Sequence, residues 1–216
     1  MKTIAVVPMK LNNERLPNKN TKAFDNGKSL CYYILDTLLK VMGIDEIYVY
    51  CSNSNIQNYM PDGVKYLRRK ESLDTSETKM NEVLKCFAED VDADIYLMTH
   101  ATSPFVCSES IEGALNKVKS GEYDSALAVH KVQEFLWKDG EPFNYDFNNI
   151  PRTQELPYVY CETSGFYIYK KEIIVEHNRR VGFKPYLKEL SKVESIDIDE
   201  QEDFDIANAI FNFNKR

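Results

Sequence analysis

No two of the five cysteines form a Cys-x-x-Cys pair, and His100, His130 and His177 stand at no ligand spacing to them. This rules out a zinc-finger pattern and predicts reduced, buried or half-buried thiols in a cytoplasmic protein. Neither Gly-x-Gly-x-x-Gly nor Gly-x-x-x-x-Gly-Lys occurs, so the chain has neither a dinucleotide-binding turn nor a P-loop. No apolar run approaches membrane-spanning length, and the apolar opening meets Pro8 too soon for a signal peptide. Positive charge is also short, with 27 Lys and Arg against 34 Asp and Glu, a net charge of −7. That balance argues against a general nucleic-acid or anionic-membrane binder, yet leaves room for one local basic pocket.

What is present is a chain of 216 residues, 43% hydrophobic and 28% charged, the size of one large α/β domain. Apolar, β-branched runs predict strands at 3–8, 46–52, 64–67, 94–99 and 124–130. Helical spacing predicts helices at 30–42, 77–90 and 108–120, the first with Ser29 as N-cap and Gly43 as stop. The alternation implies a mainly parallel sheet covered on both faces. The rhythm breaks near 133. Residues 133–169 are aromatic and turn-rich, which predicts an inserted β-rich arm whose rings either meet another subunit or finish this chain's own core. A strand at 193–198 and a helix at 200–213 close the chain.

Two charged segments stand out. Ser195-Ile196-Asp197-Ile198-Asp199 alternates, so on a strand both aspartates share one face. A same-face carboxylate pair repels itself unless a divalent cation or a basic side chain lies between. At the other end, the loop after the first strand runs from Pro8 and Met9 through Lys10, Asn12, Asn13, Arg15, Lys19 and Asn20, with cations and neutral donors where α/β sheets bind ligands. Together they predict a Mg2+-assisted polyphosphate site in which Lys10 and Lys19 bind phosphate and Asp197 and Asp199 hold the metal. Arg68, Ser72, Asp74 and Thr75 occupy another ligand-facing loop, suited to a base or ribose. His100 and Thr102 follow a central strand. Glu162 and Ser164 precede Gly165, and Glu162 suits a hydroxyl or an amine.

The order and spacing of several marks resemble the acylneuraminate cytidylyltransferases. The marks are Pro8-x-Lys10, Leu16-Pro17-Asn18-Lys19-Asn20, Leu67-Arg68, Asp74-Thr75, Thr102-Ser103-Pro104, Pro151-Arg152-x-Gln154, Ser164-Gly165-x-Tyr167 and Ser195 to Asp199. The resemblance implies a three-layer α/β/α, Rossmann-like nucleotidyltransferase fold and a homodimer joined through the inserted arm. It also implies CTP as donor, Mg2+ as cofactor, and an acceptor site that includes Arg152 and Gln154. Lys10 stands where the family has Arg, His100-Ala101 where it has Gln, and Glu162-Thr163-Ser164-Gly165 where it has Arg with Asn-Gly. The expected reaction is cytidylyl transfer from CTP to a small acceptor, an acidic or amino sugar. The alternatives are a phosphorylated or phosphonate acceptor, another nucleotide, and a non-catalytic nucleotide-binding protein.

Overall fold

β1 (Thr3–Met9) is buried along its whole length, the mark of a strand covered on both faces. The computed structural model describes residues 1–213; the last three positions of the domain predicted over 1–216 lie outside the described residues. After β1 come α1 (Leu30–Lys40), β2 (Glu46–Cys51), β3 (Lys65–Arg68), α2 (Met80–Asp90), β4 (Ile95–Thr99), α3 (Ser108–Lys119) and β5 (Ser125–Val132). A small hairpin, β6 (Trp137–Lys138) with β7 (Glu141–Pro142), leads to β8 (Val159–Lys170), α4 (Lys171–Val175), β9 (Pro185–Glu189) and α5 (Gln201–Phe213). The main sheet has the order β3-β2-β1-β4-β8-β5-β9. Only β8 runs antiparallel, between β4 and β5.

The alternation of side chains along each strand sorts the core into two layers. Ala5, Val7 and Leu97 pack against α1 and α3 on one face. Ile4, Val6, Tyr50 and Met98 pack against α2 and α4 on the other, where Phe87 meets the rings of Tyr48, Tyr50 and Tyr96. A third cluster ties the chain's ends together. Leu16 and Phe24, from the loop after β1, bury against Ile198, Phe204 and Ala207. Phe24 stacks on Phe204 at 4.3 Å and Tyr33 on Phe211 at 4.2 Å. Phe204→Ala should therefore cost roughly 3–5 kcal/mol, read as a lower denaturant midpoint. It should also reduce ligand binding at the far side of that cluster; an unchanged midpoint would refute this packing role.

Two predicted elements need correction. The strand over 193–198 does not form; residues 192–195 make a turn, and 196–199 belong to no strand or helix. The edge strand is instead β9, which the sequence reading missed because Pro185-Tyr-Leu-Lys-Glu is half-exposed and lacks a clean apolar alternation. The excursion predicted over 133–169 is shorter, because Val159–Lys170 is β8 of the main sheet. Its aromatics divide accordingly. Phe166, Tyr167 and Tyr169 are buried in the core, whereas Trp137, Phe143, Phe147 and Tyr158 are exposed.

Candidate active site

From β1 the chain builds β2 and β3 on one side, then crosses to β4 on the other. The carboxyl ends of β1 and β4 flank this switch point, where open α/β sheets form a ligand crevice. The loop leaving β1 turns through Asn18, whose φ of 56° is left-handed, into a single 3-10 turn, Lys19–Thr21. That turn buries Lys19. Lys19 Nζ donates to Asp199 Oδ1 at 3.0 Å, and Arg15 Nη2 donates to the same oxygen at 2.8 Å. Cations from the first twenty residues thus meet a carboxylate near the end of the chain.

Packing and backbone hydrogen bonds hold Asp199 there. Ile198 is fully buried, and its N–H donates to the Thr102 carbonyl at 2.9 Å. Asp203, which the sequence reading did not single out, accepts from the N–H groups of Asp199 and Glu200 at 2.9 and 2.8 Å. An acidic residue in the first turn of the closing helix is the signal that would have found it. Burial raises the Asp199 carboxyl, but the hydrogen bond and charge of Lys19, with Arg15, outweigh it and leave the carboxyl below its usual range. Asp197 Oδ1, two residues before Asp199, is buried with no hydrogen-bond donor among the described residues. Among the described residues no group of three or more His, Cys, Asp or Glu side chains is arranged to hold a metal ion.

Three cavities among the described residues are lined by site residues that the sequence predicts. One of about 420 Å³ is lined by Lys10, Asn13, Glu14, Arg15, Lys19 and Ser76. A second, of about 530 Å³, is lined by Asn12, Ser52, Asn53, Arg68, Glu71 and Asp74. Lys10 Nζ reaches the Asp74 carbonyl at 3.5 Å and so stands between them. Asp74 is held from below by the buried Arg69, through Nε at 3.1 Å and Nη2, and by Ser52 Oγ. The sequence reading chose Arg68 from this pair; the structure gives the organising role to Arg69. The third cavity, of about 380 Å³, contains Glu162.

His100, at the end of β4, is pushed by burial down to about 4, against the pull of Asp197; Arg180 and Lys19 press the same way as burial. The imidazole is therefore neutral at pH 7 and sits within the field of Asp197, Asp199, Arg180 and Lys19.

Several predicted residues fall elsewhere. Pro8 and Met9 are buried, with Met9 in the core, and neither lines the three cavities above. Asn20 is buried and donates Nδ2 to the Lys10 carbonyl at 2.9 Å, which locks the loop instead of offering a free donor. Ser72 and Thr75 are exposed and line none of these three cavities; the Thr75 hydroxyl pairs with that of Thr78 at 2.7 Å. Thr102 contributes its carbonyl, as described above. Ser164 is half-buried on β8, two positions beyond Glu162. Arg152 and Gln154 belong to the excursion: Arg152 pairs with Glu155 at 2.6 Å, and the Gln154 carbonyl accepts from Gln133 at 3.1 Å. Local partners in the excursion win over the crevice, and within this chain these two lie apart from it.

Glu194 anchors the segment that carries the aspartates. Its carboxylate accepts from Cys107 N–H and Sγ, Ser110 Oγ, and Ser191 N–H and Oγ. Burial works to raise the carboxyl, but these donors prevail and hold it down to about 2. A carboxylate lowered on folding gives stability that is present above its unfolded value, near 4.5, and lost as pH falls toward 2. Glu194→Gln should flatten the loss of stability between pH 4.5 and pH 2. Acid-unfolding curves that keep the same slope in both proteins would refute this.

A mainly parallel sheet with cations and carboxylates gathered at its switch point defines an α/β nucleotidyltransferase fold. Solved structures agree in fold. The synthetase of CMP-2-keto-3-deoxy-manno-octonic acid, complexed with CTP, superposes with a TM-score of 0.79 at 17% identity, covering 99% of this chain and 100% of that one. The 2-C-methyl-D-erythritol 4-phosphate cytidylyltransferase of Francisella tularensis gives 0.70 at 14% identity over 97% of this chain and 99% of its own. The chain belongs to the cytidylyltransferase family, whose model matches residues 4–214. Similar proteins include the N-acylneuraminate cytidylyltransferase of Streptococcus agalactiae, 23% identical over 94% of this chain and 52% of that protein. The N-acylneuraminate cytidylyltransferase A of Danio rerio is 27% identical over 67% of this chain and 36% of its own length. The chain spans about half the length of the first of these. No helix among the described residues is long and apolar enough to cross a membrane.

Proposed function

We propose that this protein transfers a cytidylyl group from CTP to an oxygen of a small acceptor and releases pyrophosphate. The observation that carries the reading is the meeting of Lys19 and Arg15 with Asp199 beside the cavity that Lys10 also lines. A triphosphate laid there has its negative charge matched by three cations, and its nucleoside is directed toward the cavity of Asn12, Ser52 and Arg68. The acceptor oxygen forms a bond to the α-phosphorus, the α–β bridging bond breaks, and pyrophosphate leaves with the electron pair. The hydroxyl proton passes to water. The cations of the first loop stabilise the leaving group. Asp197 and Asp199 would hold Mg2+, and the unpartnered Asp197 oxygen is what fits them for it. Mg2+ characteristically uses one or two carboxylates plus substrate phosphates, and it supplies compensating charge to the polyphosphate when bound.

Calorimetry with CTP, UTP, ATP and GTP, followed by pyrophosphate release over an acceptor panel, tests the reading. CTP selectivity with acceptor-dependent release is the expected result. CTP binding without release for any acceptor would favour a non-catalytic nucleotide-binding protein. The exposed excursion is read as the surface of a homodimer: Trp137, Phe143, Phe147 and Tyr158 are 57, 56, 61 and 55% exposed. Trp137 and Phe147 lie edge to face with ring centroids 6.2 Å apart, and exposed apolar clusters mark protein–protein contacts. Sedimentation should report a dimer that Trp137→Ser with Phe147→Ser converts to monomer, and a wild-type monomer would remove this part.

A further inference from the structure

The third cavity, of about 380 Å³, holds charges of both signs. Lys79, Arg179, Arg180 and Glu162 all line it. Among the described residues neither Arg180 nor Glu162 forms an ion pair. Tyr167 stands between them. The Arg180 guanidinium lies 4.2 Å above the Tyr167 ring and its Nη2 is 3.4 Å from the Tyr167 hydroxyl. That hydroxyl donates to Glu162 Oε2 at 2.9 Å, leaving Oε1 open. Stacking on a buried aromatic fixes the guanidinium plane. The result is a dipole held open, with a cation and a carboxylate kept from collapsing onto each other.

The frame around this dipole is braced. Arg179 donates to the Gly182 carbonyl at 3.2 Å, and Asn81 Nδ2 donates to the Asn178 carbonyl at 2.9 Å, joining α2 to the loop that carries both arginines. The β-bulge between Leu127 and Val129 re-aims the β5–β8 pair where Glu162 enters it. The charges of Arg180, Asp197, Lys19 and Asp199 all act on His100.

We infer that this cavity selects a zwitterionic acceptor, a small molecule carrying an anionic group for Arg180 and its neighbouring cations and a free ammonium for Glu162. The complement of a fixed dipole is a second dipole of opposite sense. The inference rests on the transferase reading only for what becomes of the bound molecule. Calorimetric titration of the full chain with matched probes tests it. Glucosamine 6-phosphate is compared with N-acetylglucosamine 6-phosphate, muramic acid with N-acetylmuramic acid, and glucosamine serves as the amine without an anion. Each free amine that carries an anion should bind at least about tenfold tighter than its acetylated partner and tighter than glucosamine. Whichever pair binds better identifies phosphate or carboxylate as the anion. Glu162→Gln should level each pair while leaving the acetylated anions unchanged, and Arg180→Met should weaken every anionic probe. Acetylated probes that bind as well as the amines, or no binding of any probe, would overturn the inference. A CTP titration on the same samples keeps the two readings separate: CTP bound by the wild type and bound more weakly by Lys19→Ala sustains the nucleotide site whatever the amines do.

Discussion

Lys19→Ala lowers turnover by roughly a hundredfold or more, the typical loss when one preorganised donor to a developing oxyanion is removed. The expectation follows from where this lysine sits. It is largely buried, set on a short 3-10 turn, and aimed by a 3.0 Å bond to Asp199. A cation fixed in this way needs little reorganisation when a polyphosphate arrives. Arg15, bonded to the same oxygen but mostly exposed, is less constrained, so Arg15→Ala should cost less. The measurement is pyrophosphate release at saturating CTP, with circular dichroism to verify the fold. Lys19→Arg should recover part of the loss, because charge is kept while the compact ammonium geometry is not. Near-normal turnover in Lys19→Ala would remove the residue from the chemistry.

Asp197→Asn separates function from stability. A buried carboxylate oxygen without a donor is a cost to the folded state. Removing the charge should leave the melting temperature unchanged or raise it. The same change should abolish most turnover, by roughly a hundredfold or more, since metal-borne charge compensation is worth several kcal/mol and about 1.4 kcal/mol is tenfold in rate. Calorimetry adds an independent readout: CTP alone should bind wild type and variant alike, whereas Mg2+ should strengthen binding only to the wild type. A variant that melts much earlier, or that responds to Mg2+ as the wild type does, would show that Asp197 is a structural residue.

Much of this architecture was legible before any coordinate. The strands β1, β2, β4 and β5 and the helices α1, α2 and α3 announce themselves by periodicity, because each buries a continuous stripe. β8 did not, because its rings look like those of the exposed excursion that precedes it; Tyr158 and Tyr169 read alike, yet one is exposed and the other is in the core. The aspartate segment misled in another way. Its alternation mimics a strand, but Ile198 enters a cluster with Leu16 and Phe204 while the backbone bonds to Thr102. The pairing partner, not the pattern, decides whether an extended segment becomes a strand.

At the site, residue type could be read but role could not. Lys10, Lys19 and Asp199 were visible as charges out of balance with their surroundings. Arg69, Asp203, Glu194 and Arg180 were not, since each acts through a partner distant in sequence or through a ring whose position only packing fixes.

The order of residues alone determined that the chain would form layered strands and helices with a basic loop after its first strand and a carboxylate pair near its end, because local periodicity and charge spacing need no tertiary partner. Only the folded molecule decided that these ends meet, that Asp197 Oδ1 is left without a donor, and that Glu162 and Arg180 face one cavity with Tyr167 rather than an ion pair joining them. Those facts depend on which buried surfaces find each other across nearly two hundred residues, and no local spacing records that choice.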